Sequence, residues 1–338
     1  MILAVLLAVG GIVHAADVHV THTGESLASI ATDLGDKALV GEIARLNGLD
    51  PLAPIEPGTV LILPPHPDTF DQAAEVLSAS GEVYVVPATG PRIPVVATNR
   101  LGAGSTICTG SGSYATLRLA RSQNSYDHDD VVLLEGTCLT VVAASARSDR
   151  RTSLLDVASG TVAIEQGGVL PGTVAVRTGN GLTAGEEGGF RVSIETDAAR
   201  TEAWAAPVSV FSAGQEVRLD PGSGSRTRAD EAPGAPVPLP PMAVLLSPED
   251  GTPLLRPDFT WQPVEGALGY RVELSTDEDF TDVLAIEEVS EPTWQPDMLF
   301  LPYRVRGYWW RVSTFDRVGF VGAPTASRRL AVPAGAGP

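Results

Sequence analysis

"NGLDPLAPIEPGTVLILPP", residues 47–65, starts with an Asn-Gly pair, passes Pro51, Pro54 and Pro57, and ends in a short apolar run shut off by Pro64 and Pro65. Asn and Gly tolerate left-handed backbone, so Asn47-Gly48 marks the end of a helix. "GTVLILP" then reads as a strand. Upstream, "DKALVGEIARLNG" places Val40, Ile43 and Ala44 on one helical face, with Asp36 as the candidate N-cap. Before it, "ESLASIATDLG" does the same with Leu27, Ile30, Ala31 and Leu34, with Ser26 as cap and Gly35 as stop. "DVHVTH", which precedes that helix, alternates apolar and polar residues and reads as a strand. Residues 17–65 therefore spell strand, helix, helix, strand.

The unit resembles a LysM domain. The resemblance rests on His22-Thr23-Gly24-Glu25-Ser26-Leu27, Ile30-Ala31, Leu46-Asn47-Gly48-Leu49, Ile55, Pro57-Gly58 and Leu61-Ile62-Leu63-Pro64. It implies binding of peptidoglycan or another N-acetylglucosamine-containing glycan in a shallow groove between two loops. The residues it assigns are Gly24, Glu25, Ser26 and Leu27 on one side and Asn47, Gly48, Leu49, Asp50 and Ile55 on the other. Backbone amides and carbonyls would bond the acetamido groups, and Leu27, Leu49 or Ile55 would meet the methyl. The alternative is that Asn47 only caps its helix and Ile55 fills the core, in a fold without a ligand.

Residues 66–220 change character. "GEVYVVPA", "SYATLRLA", "DVVLLEGTCLTVVAA", "GTVAIEQ", "GTVAVRT", "FRVSIETD" and "VSVFSAGQEVRL" are short alternating runs separated by turn residues, the pattern of an all-β sandwich or barrel. The stretch resembles a FecR domain through Gly112-Ser113-Tyr114-Ala115, "LLDVASGTVAIE", "PGTVAVRTGNG", "EGGFRVSIE" and Ala213-Gly214-Gln215. Residues 221–242, rich in Pro and Gly, read as a semi-extended linker. Residues 243–333 resemble a fibronectin type III-like or Ig-like sandwich, through Trp261 and Tyr270 in a W-x-P-V-x-G-A-x-x-Y pattern and Leu301-Pro302 before Tyr308. Alternation puts Tyr308, Trp310 and Val312 in its core and leaves Trp309 outside, as a surface contact or under a loop. Residues 334–338 read as a disordered tail. The expected fold class is multidomain and mostly β: a small βααβ LysM domain, an all-β FecR-like domain, then a fibronectin type III-like sandwich.

"MILAVLLAVGGIVHAAD" has an apolar run too short to span a bilayer comfortably, then small residues. Residues 1–16 therefore read as a secretory signal peptide, with an uncleaved anchor as the alternative. Cys108 and Cys138 sit in strand-like runs and fit an oxidising compartment, and a disulfide is the expectation over two buried thiols. The formal charge of −18 disfavours nucleic acid as a partner. "SYDHDD", residues 125–130, gathers carboxylates but lacks a glycine-bearing cation loop, and reads as a solvated turn. No nucleophile, metal or phosphate-loop pattern assembles, so catalytic, metal and cofactor sites are all expected to be none. The expectation is a periplasmic or secreted, non-enzymatic protein that binds peptidoglycan and presents its β units to cell-envelope partners. A FecR-type signalling regulator and a cell-wall enzyme with an unrecognised site are the alternatives.

Overall fold

The computed structural model describes residues 17–66, 70–71, 74–87, 90–96, 99–119, 127–253, 258–295 and 307–331. The expected signal (residues 1–16), the tail (residues 334–338) and the Leu301-Pro302 pair lie outside them. The chain is mostly β, with three units stacked face to face. No helix among the described residues is long and apolar enough to cross a membrane.

The N-terminal unit has the order read from the sequence: β1 (Val18–Val20), α1 (Leu27–Asp33), a 3-10 turn Lys37–Leu39, α2 (Val40–Asn47) and β2 (Val60–Ile62). Ser26 caps α1 in a capping box with Ser29. Asp36 caps the 3-10 turn through Ala38 N–H, and Gly48 ends α2 in the left-handed conformation. Leu27, Ile30, Ala31, Ile43, Ala44, Leu61 and Leu63 form its core. β1 and β2 pair antiparallel, with His19 opposite Leu61.

The central unit is two sheets, one of nine strands and one of ten, closed over a shared core that includes Leu117, Val131, Leu155, Val176, Phe190 and Val210. Cys108 and Cys138 lie directly opposite each other on neighbouring strands, Cα atoms 4.2 Å apart, and are joined by the expected disulfide. Both outer faces of this unit are apolar as well. On the ten-stranded sheet Ala143, Leu154, Ala175, Leu182, Ala184 and Phe211 receive Val18 and Val20 of β1 and Val60 of β2. On the nine-stranded sheet Val132, Leu134 and Ala163 receive Phe280, Val283 and Trp309 of the C-terminal unit. Strands covered on both faces lose their alternation, which is why Val131-Val132-Leu133-Leu134 is one unbroken apolar run.

The C-terminal unit is a sandwich of a three-stranded and a five-stranded sheet. Tyr308, Trp310 and Val312 enter its core with Phe259, Trp261, Tyr270 and Trp294, as alternation requires. The Trp261/Tyr270 pattern has a structural reason: the rings meet edge-on at 5.3 Å, and the Tyr270 hydroxyl accepts the N–H of Val264 at 2.9 Å. Trp309 faces the other way and joins the contact with the central unit, with Arg329 over its ring at 5.6 Å. A charged set seals that contact. Burial pushes the Glu273 carboxyl up, but Arg311 and Arg191 outweigh it and hold it below its usual range. Burial, with Arg271 close by, pushes the Arg191 guanidinium down to about 10.

Two expectations are corrected. Within residues 221–242, expected as linker, Ser223–Arg228 is a strand of the nine-stranded sheet, paired along its whole length with Ala198–Ala203. Val237–Pro238 returns to pair with its start. The strand was hidden because its buried side chains, Ser225 and Thr227, are small and polar. Ser225 Oγ is satisfied by the carbonyl of Gly234 at 2.7 Å. The carboxylates of "SYDHDD" are not a solvated turn either. His128–Leu133 is a central strand, and Asp127, Asp129 and Asp130 are buried. Asp130 takes a bidentate Arg118 at 2.8 and 2.7 Å, Asp129 takes Arg151 at 3.0 Å, and Asp127 accepts Val169 N–H at 2.8 Å. Arginines distant in sequence consume the charges.

Candidate functional site

The residues assigned to the glycan groove come together at one end of the N-terminal unit, but they do different jobs. Leu49 and Ile55 pack on the cluster that contains Leu27, so the two loops share an apolar base. Leu27 itself is 1% exposed and belongs to the core, out of reach of a ligand. Asn47 is a clasp. Its Oδ1 accepts Ile62 N–H at 2.8 Å, and its Nδ2 donates to the carbonyls of Ile62 and Ile43, both at 2.8 Å. Those bonds tie α2 to β2 and leave Asn47 committed to the fold.

Glu25 and Asp50 shape the loops. Glu25 Oε2 accepts His22 N–H at 2.7 Å and His19 Nε2 at 2.9 Å, folding the first loop back on β1. Asp50 Oδ1 accepts Leu52 N–H at 2.8 Å, and its carbonyl accepts Ala53 N–H at 3.1 Å, which makes a tight side-chain-stabilised turn. Gly24 and Gly48 are exposed, with open space where a side chain would stand, although the Gly48 N–H is spent on the carbonyls of Ala44 and Arg45 at the end of α2. Ser26 holds the start of α1.

The turn presents a residue that sequence reasoning missed. Leu52 is 93% exposed at the loop tip. An isolated apolar side chain on a surface is ordinary. Here it stands on a turn braced by Asp50. Its signal was visible in "DPLAP", an apolar residue between two prolines with no periodic partner.

The opposite side of the unit is docked. A Cβ on Gly58 (φ +80°) would lie 2.5 Å from Phe211 Cβ, so this glycine allows the close approach of the two units. Burying a phenylalanine such as Phe211 contributes roughly 1.5–3 kcal/mol. Asp17 is buried against Arg150 at 2.6 Å and Thr152 Oγ1 at 2.8 Å. Glu216, on the edge strand Gln215–Leu219, reaches the loop between β1 and α1: it accepts His22 Nδ1 at 2.7 Å, Thr23 N–H at 2.9 Å and Thr23 Oγ1 at 2.9 Å. Burial pushes its carboxyl up, but the bonds from His22, Thr23 and Ser209 outweigh that and lower it to about 2.

Comparison with known proteins agrees with this geometry for the first unit. Residues 19–64 match the model of the LysM domain family. No curated protein matches the chain. Among solved structures it is similar to two crystal structures of a candidate anti-sigma factor from Parabacteroides distasonis ATCC 8503, at 19% and 17% identity with TM-scores of 0.32 and 0.31. Each likeness covers 39% of this chain and 59% of the other, too distant to argue what this chain does. With its βααβ order, its clasped helices and its paired loops, the segment from residue 19 to 64 is a LysM domain, the kind of module that binds peptidoglycan and related N-acetylglucosamine glycans.

Proposed function

We propose that this is an exported, non-enzymatic envelope protein that holds peptidoglycan through its LysM domain and carries two β units as one docked body. One observation supports the reading most. The domain buries its β1/β2 face against the central sheet, yet leaves Gly24, Gly48 and Leu52 exposed. Backbone groups at Gly24 and the carbonyl of Gly48 bond the acetamido groups, and Leu52 receives the methyl. Such contacts are neutral, so the acidic surface does not oppose them. A shallow groove yielding roughly 5 kcal/mol binds in the sub-millimolar range. A polymer, offering many sites, is retained far better than a short sugar.

The disulfide, an oxidising-compartment feature, supports export. The test is sedimentation of the whole protein with purified sacculi and with chitin. The whole protein is required because an isolated LysM domain would expose Val18, Val20 and Val60. Retention in both pellets is expected. Protein that stays in both supernatants while folded by circular dichroism overturns the proposal.

A further inference from the structure

A cleft of about 310 Å³ runs between the LysM domain and the central unit. β1 forms one wall with Val18 and Val20, and Arg150, Arg218, Glu186 and Glu187 stand around it. Its volume lies in the range of small-ligand sites, about 300–1,000 Å³.

β1 pairs with β2 on one side only. Thr21 N–H donates to the Thr59 carbonyl at 3.0 Å and Leu63 N–H to the Asp17 carbonyl at 2.9 Å, so Asp17, His19 and Thr21 turn their backbone groups to β2. The alternate residues, Val18 and Val20, then turn theirs to the open edge. Val18 N–H meets Thr152 Oγ1 at 3.5 Å. Val20 N–H and C=O have no partner among the described residues. An open strand edge with unspent backbone groups is the template to which an extended peptide adds.

Part of the charge around that edge is also unspent. Arg218 is exposed and makes no ion pair among the described residues. Arg150 gives Nη2 to Asp17, but its buried Nε has no acceptor. Glu186 and Glu187 are exposed without ion pairs among the described residues. One unpaired guanidinium, Arg218, and two unpaired carboxylates around one cleft suit a ligand that carries both signs of charge.

We propose that this cleft binds a short extended peptide bearing a carboxylate and an ammonium group: the peptide arm of the same wall polymer. The proposal rests on the peptidoglycan reading, because the wall peptide carries carboxylates and the amine of its diamino acid. Val20 pairs the peptide backbone, Arg218 takes carboxylate, and Glu186 and Glu187 take ammonium, while Arg150, held by Asp17, lines the wall. His22, which also lines the cleft, immediately precedes the loop that carries Gly24.

The experiment titrates the whole protein with the free wall tetrapeptide, L-Ala-D-Glu-diaminopimelate-D-Ala, following the Val20 amide by NMR. The Val20 signal is expected to shift saturably, and Arg218→Glu to weaken the titration roughly tenfold, as for one charge-assisted contact. Arg218→Glu leaves sedimentation with chitin, which has no peptide, unchanged. A Val20 amide that does not move, an equal response in Arg218→Glu, or a response only to an all-L peptide of the same charge overturns the cleft. Loss of chitin and sacculus binding with an intact Val20 response overturns the glycan groove instead, so the two failures are distinct.

Discussion

Glu216 and Thr23, 193 residues apart, are joined by two bonds of 2.9 Å, from the backbone N–H and from the hydroxyl of Thr23 to the same carboxylate oxygen. The loop between β1 and α1 of the LysM domain is thus held by a side chain of another unit. A LysM domain taken out of this chain would lose that anchor together with its apolar seat.

Glu216→Ala is therefore expected to loosen the loop and lower retention on sacculi, while Glu216→Gln, which keeps acceptor oxygen, retains more. The pH dependence follows from the lowered carboxyl. Its folded value, about 2, lies below the ordinary 4.5, so its stabilisation is fully present above about 4.5 and is lost as pH falls toward 2. Thermal midpoints of the wild type and Glu216→Gln should differ at neutral pH and converge over that window. A constant gap down to pH 2 would show that the carboxylate charge is not what holds the loop.

Leu52→Asp separates binding from folding. A change at a 93% exposed tip should alter stability by no more than about 0.5 kcal/mol. Retention on chitin should nevertheless fall sharply. Unchanged retention would remove Leu52 from the groove.

Asn47→Ala should behave in the opposite manner. It leaves part-buried backbone partners at Ile62 and Ile43 unmet, at a cost of roughly 1–3 kcal/mol. Denaturant unfolding would register the loss, and a neutral result would show that water replaces the clasp.

Reduction of Cys108–Cys138 opens a connection of 30 residues. In the chain-entropy model such a bridge contributes roughly 3.5 kcal/mol. The midpoint of the central unit should drop on reduction, and intact mass with thiol alkylation should report two thiols only after reductant. Labelling in denaturant alone would exclude the bridge.

Phe280→Ala tests the other interface. Phe280 is 2% exposed, in contact with Val132, Leu134 and Ala163, and Arg311 lies 4.0 Å over its ring. Truncation of a buried phenylalanine costs about 3–5 kcal/mol. The loss should fall on docking, splitting a shared unfolding transition into separate steps for the central and C-terminal units. A single transition shifted as a whole would mean that the two units do not come apart.

The sequence by itself determined the elements whose causes are local. Ser26, Asp36 and Gly48 signal helix ends because capping is satisfied within a few residues. The two periods of apolar residues settled β1, α1, α2 and β2, and the alternation of Tyr308, Trp310 and Val312 settled a sandwich core. What only the tertiary structure decided was where the remaining surfaces go. Leu27 and Asn47 look like ligand residues in a linear motif, yet three dimensions place one in the core and spend the other on Ile62. Ser223–Arg228 looks like linker because a strand of small polar residues has no hydrophobic period, and its partner strand supplies its hydrogen bonds. Asp127, Asp129 and Asp130 look solvated until Arg118 and Arg151 arrive from other strands. Glu216 carries no local sign of its role, because a carboxylate on an edge strand acquires a function only from the loop that docking brings to it.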